Sequence, residues 1–222
     1  MSRTEQLPLF PLGTVLFPGL PLSLHVFEER YRLLIRDLLD GPEPRRFGVV
    51  AIELGHEVGA GAARRLARLG CVAQVRDVTA LDGGRFDVLA VGGRRFRLHD
   101  VDDSLPYLRT RAELLPERAG TDPAPIARRV TALFRLYRHR LATAGAEITE
   151  PIELPADPVA LSHFIAAVAV LDLGDKQRLF EAEDAVIRLR LEEELLLREI
   201  RLLDAVRAVP VTRFIDGGVH LN

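Results

Sequence analysis

A single lysine limits the covalent chemistry open to this chain. Lys176 is the only lysine among 30 Lys and Arg residues, so any lysine nucleophile or base must be this one. A serine–lysine dyad needs Ser2, Ser23, Ser104 or Ser162 within hydrogen-bond reach of it. Lys176 follows Asp175 at a predicted helix start, which reads as a surface or capping position. A P-loop needs glycines that curl backbone amides around phosphates, then Lys followed by Ser or Thr. Leu173-Gly174-Asp175 precedes Lys176 and Gln177 follows it, so nucleotide hydrolysis by that route is excluded.

Metal chemistry fares no better. His25-Val26-Phe27-Glu28-Glu29 is superficially like an inverted zincin motif, but Arg30 stands where the second histidine belongs. Catalytic zinc takes three protein ligands, and His56, His99, His139, His163 and His220 show no paired spacing. No metal, cofactor or catalytic residue is predicted. Gly55-His56-Glu57-Val58-Gly59-Ala60-Gly61 is glycine-rich after a strand. Without a strand–helix turn it is not a dinucleotide site, and it reads as a rim loop. Arg135, Arg138, His139 and Arg140, with Arg128 and Arg129 before them, form the clearest basic cluster. Its aromatics, Phe134 and Tyr137, belong to a core stripe, so RNA is the lesser expectation and a solvated helix face the simpler one.

Positioning falls to two halves of different periodicity. Leu7–Phe10, Leu20–Val26, Phe47–Glu53, Cys71–Leu81, Arg85–Val91, Arg95–Val101 and Tyr107–Leu115 are short runs bounded by Gly, Pro or Asp, the mark of strands. Asp82-Gly83-Gly84 supplies a tight hairpin. One helix interrupts them, with Tyr31, Leu34, Ile35, Leu38 and Leu39 on one face and Gly41-Pro42 as its stop. After a polar break at Arg118–Pro125, helical spacing takes over. Ile126 to Leu141 make one stripe, Leu161 to Val168 a second, and Val186 to Leu203 a long third. Asp122-Pro123 and Asp157-Pro158 are the predicted helix starts, Gly174 a stop and Asp175 a cap. The fold class is therefore α+β: a β-rich half at 1–118, a helical half at 122–209, and a tail at 210–222 that docks back as a strand.

Composition sets the outer limits. The chain has 222 residues, 48% hydrophobic and 28% charged, with net charge -2. That balance gives no global steering toward nucleic acid or anionic membrane. Cys71 is the single cysteine, which points to a reducing, cytoplasmic setting. No signal peptide is read at MSRTEQLPLFPLG, and no run approaches the roughly 18 apolar residues of a membrane span.

Against this background the opening segment stands out. Leu7-Pro-Leu-Phe-Pro-Leu-Gly-Thr-Val-Leu-Phe-Pro-Gly-Leu-Pro-Leu22, continuing through Leu24-His25-Val26-Phe27-Glu28 to Arg30-Tyr31, resembles the start of the Lon protease N-terminal substrate-binding domain. Gly70–Val75, Asp82-Gly83-Gly84 and Val91–Phe96 are similar to that family's central hairpin, and Asp175-Lys176-Gln177 to Leu189 to the start of its closing helix. The resemblance implies a PUA-like β pseudo-barrel followed by a helical bundle with a long final helix. It also implies capture of unfolded polypeptide or partner protein. The chain ends at Asn222, short of the ATPase and serine–lysine protease modules of Lon, so the expectation is a stand-alone, non-catalytic module. The alternatives to polypeptide binding are an RNA-binding PUA-like protein and a structural adaptor acting through the long final helix.

Pro8, Pro11, Pro18 and Pro21 stiffen the opening segment and remove backbone donors. They can hold Leu16, Phe17 and Leu20 at a loop apex, to rim an apolar groove or to plug the barrel end. With Phe27 and Tyr31 from the same segment, these are the candidate substrate-binding residues. Oligomeric state is left open.

Overall fold

The computed structural model describes residues 4–55, 63–146 and 152–208. Six strands come first, β1 (Thr4–Leu12), β2 (Pro21–Val26), β3 (Arg46–Gly55), β4 (Ala63–Leu81), β5 (Arg85–Asp102) and β6 (Arg109–Leu114), with helix α1 (Glu29–Asp40) between β2 and β3. Four helices follow: α2 (Pro123–Thr143), α3 (Pro158–Val168), α4 (Leu173–Glu181) and α5 (Ala185–Ala208). The fold is mixed α+β. The glycine-rich loop after Gly55 and the tail at 210–222 lie outside the described residues.

The strands run in the order β2-β5-β4-β3-β1-β6, and β6 also pairs with β5, so the sheet closes on itself. Most pairings are antiparallel, but β1 and β3 are parallel, Leu9 opposite Gly48 through Leu12 opposite Ala51. A parallel pair needs a crossover, and β2 with α1 provides it. The sequence suggests two strands at Arg85–Val91 and Arg95–Val101; they are one. The ladder to β4 shifts register between Cys71 and Ala73, opposite Gly92 to Arg95, where β5 carries an extra residue. Such a bulge bends and twists a strand, which lets one half of β5 pair with β2 and the other with β6.

Glycine appears where two strands close over a buried ring. Phe96 is fully buried, and a Cβ at Gly48 or Gly70 would collide with its ring. Its neighbours Leu7, Leu9, Val50, Val72 and Ala112 complete an apolar cluster inside the barrel. A second cluster joins the halves: Phe10, Tyr31, Phe47 and Phe86 of the barrel share it with Ala166, Leu179, Phe180 and Leu195 of the helices. The third lies among α2, α3 and α5.

The helix ends depart from expectation in detail. Asp157 caps α3 by accepting from the Ala160 amide, as its place before Pro158 suggests. Asp122 precedes α2 in a left-handed conformation and makes no side-chain cap. Gly174 does not end α3, which stops at Val168; it lies inside α4, and the cap of α4 is Asp172, accepting from the Asp175 amide.

Candidate functional site

The five candidate residues separate into two groups. Leu16 and Phe17 are buried, at 5% and 1% exposure. The loop carrying them is clasped to β5: Gly19 N–H donates to the Gly92 carbonyl, and Gly92 N–H to that of Leu20, both at 2.8 Å. A Cβ at Gly92 would run into the Phe17 carbonyl, so glycine is required for this approach. Phe17 then enters the helical half, edge-on to Phe180 at 5.5 Å and beside His163 at 6.1 Å. The proline-stiffened apex thus plugs the junction, and Leu20 is only half-buried beside it.

Phe27 and Tyr31 form the other group. Tyr31 stacks on Phe10 at 4.0 Å, with the Arg30 guanidinium over its ring at 4.4 Å. Phe27 is 52% exposed. Together with Phe10, Leu12 and Leu24 they line a cavity of about 220 Å³ between the end of β1 and β2.

Backbone geometry gives this recess its character. Among the described residues β2 pairs with β5 alone, so one side of it is an open edge. The Gly92 N–H to Leu20 carbonyl bond sets the alternation. Leu22, Leu24 and Val26 turn their backbone groups toward β5, while Ser23 and His25 turn theirs to the open edge. Pro21 contributes no donor there. On the outer face, His25 Nδ1 and Asp87 Oδ1 lie 2.7 Å apart, which fixes the ring. Among the described residues no group of three or more His, Cys, Asp or Glu is arranged to hold a metal.

The chemistry-bearing residues elsewhere are spoken for. Lys176 Nζ, half-buried, donates to the Ala167 carbonyl at 2.9 Å, and burial lowers its pKa. Ser162 Oγ donates to the Val159 carbonyl and accepts from Arg188 at 2.8 Å; it does not bond to Lys176. Ser2 lies outside the described residues. In the basic cluster, Arg129 pairs with Glu193 and Arg140 with Asp204, while Phe134 and Tyr137 are buried. Cys71 is buried too, and burial pushes its thiol far above the usual range, so it is inert.

A polar junction that the sequence does not announce joins the halves. Arg95 of β5 is 2% exposed. It donates to Glu117 at 2.8 Å and to the carbonyls of Phe180 and Ala182 at 2.6 and 2.7 Å. The other Glu117 oxygen meets His163 Nε2 at 3.0 Å, and Arg188 donates to the Leu179 carbonyl. Burial opposes ionisation of Glu117, but hydrogen bonds from His163 and Arg95 outweigh it and hold the carboxyl down at about 2. Burial pulls His163 down to about 4 against its bond to Glu117. The imidazole is therefore neutral at neutral pH and donates through Nε2. Glu192, one turn beyond Arg188, is fully buried with both carboxyl oxygens unpartnered. Burial raises its pKa well above the usual carboxylate value, against the opposing charge of Arg188.

Among the described residues no helix is long and apolar enough to cross a membrane. Residues 6–198 match the family model of the ATP-dependent protease La (LON) substrate-binding domain. The chain is 31% identical over 209 residues to Lon protease 2 of Sorangium cellulosum, covering 90% of this chain and 25% of that protein. It is 29% identical over 201 residues to the Lon protease of Anaeromyxobacter dehalogenans, covering 89% and 24%. It thus spans about a quarter of the length of these curated relatives. Among solved structures, the Lon N-terminal domain protein from Xanthomonas campestris superposes with TM-score 0.56 at 23% identity, covering 87% of this chain and 98% of that one. The N-terminal domain of Lon protease from the Mycobacterium avium complex gives 0.59 at 19%, covering 89% and 98%. These two likenesses concern the fold; the family model decides membership, and the chain belongs to the LON substrate-binding domain family.

Proposed function

We propose that this chain is a non-catalytic binding module that captures extended, apolar polypeptide segments along the open edge of β2. The observation that carries the reading is the coincidence of a strand edge that no other described strand pairs with and the recess beneath Phe27. A polypeptide added there continues the ladder through Ser23 and His25 and drops an apolar side chain between Phe10, Leu24, Tyr31 and Phe27. Each ladder bond contributes about 1 kcal/mol net, and ordering the guest offsets part of it. Capture is therefore weak and tolerant of sequence, as suits unfolded or partner protein segments.

In this reading residues 1–118 form a PUA-like barrel that makes the contact, and 122–209 a helical unit, ending in the long helix α5, that supports it through Phe17 and Arg95. A cytoplasmic setting fits the free, buried thiol of Cys71. The experiment is fluorescence anisotropy with a reduced and alkylated, permanently unfolded protein. Saturable binding that Phe27→Ser weakens severalfold supports the reading. Saturable binding that is indifferent to Phe27 places the contact elsewhere, and no saturable binding ends the proposal.

A further inference from the structure

The two longest helices lie side by side and run in the same direction. Arg129 of α2 meets Glu193 of α5 at 2.9 Å, and Arg140 meets Asp204 at 3.0 Å, with the same interval on each helix. Between these ion pairs, on the solvent side of the seam, stand Leu136 and Leu197, 39% and 37% exposed. The charge around them is one-sided. α2 carries five arginines and no carboxylate, in a chain of net charge -2. The carboxylates of α5 outside the core are already taken: Glu193 and Asp204 across the seam, Glu194 by Arg178 at 3.9 Å, and Glu199 by Arg198. Among the described residues, Arg128 and Arg135 of α2 and Arg190 and Arg201 of α5 are left without one, all four exposed. Arg128, Ala132, Arg135 and His139 recur at the spacing of one helix face, as do Arg190, Glu194, Leu197 and Arg201. The register of the ion pairs sets Arg128 level with Arg190, and Arg135 with Arg201, to within about 3 Å along the axis. An apolar seam thus runs between two rows of unpaired cations.

We propose that this seam docks an acidic amphipathic helix of a partner protein. Its apolar stripe lies over Leu136 and Leu197, and carboxylates on both flanks meet the four arginines. A helix laid in such a seam sits about 8–10 Å from each supporting helix, a span that a glutamate and an arginine side chain close between them. Small Ala132 leaves room for the approach on the α2 side. A nucleic acid would also meet the charge, but single strands stack their bases on exposed aromatic rings. The aromatic residues of α2, Phe134 and Tyr137, are buried, and α5 has none. What the arginines border is leucine, which suits a protein helix. The seam shares no residue with the β2 edge or its recess, so a captured segment and a docked partner can be held at once.

The probe is a labelled four-turn peptide with leucines along one helical stripe and glutamates on both flanks; two companions carry glutamine for glutamate or serine for leucine. Anisotropy is measured on the full chain and on Arg135→Ala/Arg201→Ala, Arg128→Ala/Arg190→Ala, Leu136→Ser/Leu197→Ser and Phe27→Ser, each checked for native circular dichroism. The glutamate peptide should bind saturably, roughly tenfold more tightly than the glutamine peptide at low salt, with the ratio shrinking at high salt as exposed charges are screened. Each arginine variant should reduce that ratio, the leucine variant should weaken both peptides, the serine companion should bind less than either, and Phe27→Ser should change nothing. No saturable binding, equal affinity for the glutamate and glutamine peptides, or a ratio that survives both arginine variants would overturn the proposal while leaving the β2 reading untouched. Binding lost in Phe27→Ser would assign the peptide to the β2 edge and overturn it too. A labelled oligouridine that displaces the peptide and is released by the arginine variants would give the seam to nucleic acid. Self-association in light scattering that the leucine variant abolishes would give it to a second copy. Either result overturns the proposed partner.

Discussion

Arg95 and Glu117 are joined at 2.8 Å in the seam between barrel and helices, with the Arg95 side chain only 3% exposed. The same guanidinium ties down the carbonyls of Phe180 and Ala182, at the C-terminal end of α4. One arginine therefore fastens a barrel strand, the connecting segment and a helix end at once. Removing it takes a donor from Glu117, which keeps His163, and from the Phe180 carbonyl, and leaves the Ala182 carbonyl with only the longer bond from Arg188. Arg95→Ala should cost about 3–5 kcal/mol, and Arg95→Lys should recover only part, because an ammonium cannot span the same fork. Urea denaturation of the three proteins measures this. A loss below about 1 kcal/mol for Arg95→Ala would show that the seam holds without it.

His163 and Glu192 give the junction opposing dependences on pH. His163 is lowered from 6.5 to about 4, so between those values the unfolded chain binds the proton and the fold does not. Its contribution to stability is lost as pH falls through that window. Glu117, lowered from 4.5 to about 2, has the same sign, and its contribution is lost from pH 4.5 downward. Glu192 is raised above 4.5, so the fold holds a proton that the unfolded chain releases, and its contribution falls as pH rises. Above pH 4.5 the slopes of His163 and Glu192 oppose each other, while below it His163 and Glu117 act together. The junction predicts a steep acid limb below pH 4.5 that flattens above it, read from urea midpoints at successive pH values. His163→Asn should remove the rising contribution and lower the slope just above pH 4.5.

Glu192 itself is the cleaner case. A buried carboxyl with no partner on either oxygen contributes nothing that an apolar side chain of similar volume would not. Glu192→Met should stabilise the fold, and the gain should grow by about 1.4 kcal/mol for each pH unit above 4.5, up to the raised pKa of the native carboxyl. A gain that stays constant with pH would mean that Glu192 is not protonated in the fold.

What the sequence discloses follows from where the information is local. The period of two in Phe86, Val88 and Ala90 and the helical stripe from Ile126 to Leu141 are local patterns, and they reappear as β5 and α2. The continuity of β5 through Gly92-Gly93 was hidden, because a glycine pair reads as a break unless one knows that the Phe17 carbonyl passes over it. The junction was hidden for a stronger reason. Arg95 meets Glu117 across 22 residues and Phe180 across 85, and buried arginines look in sequence like surface ones. Phe17 and Phe27 show the same limit. Both sit in one proline-rich apolar segment, yet the clasp at Gly92 holds the first at the junction while the second, beyond the end of β2, faces out.

That division predicts a separation of effects. Phe17→Ala removes a fully buried ring from between Phe180 and His163 and should destabilise the fold by about 3–5 kcal/mol. Phe27→Ala removes a half-exposed ring and should change stability by less than about 1 kcal/mol while weakening capture of unfolded protein. Thermal melts and anisotropy on the same two variants test the pair. Reversal of the two effects would relocate the contact to the loop apex.

Ser23→Pro tests the edge itself rather than the recess. The Ser23 amide faces the open side of β2, so proline there removes a donor that a guest strand needs without taking one from the ladder to β5. His25 still meets Asp87, and the recess keeps Phe10, Tyr31 and Phe27. The variant should therefore melt close to the parent yet lose most of its affinity for extended polypeptide, while Ser23→Ala, which keeps the amide, should bind as the parent does. Equal affinity for Ser23→Pro and Ser23→Ala would mean that the guest lies in the apolar recess without joining the sheet, and the ladder in the proposed mode of capture would have to be given up.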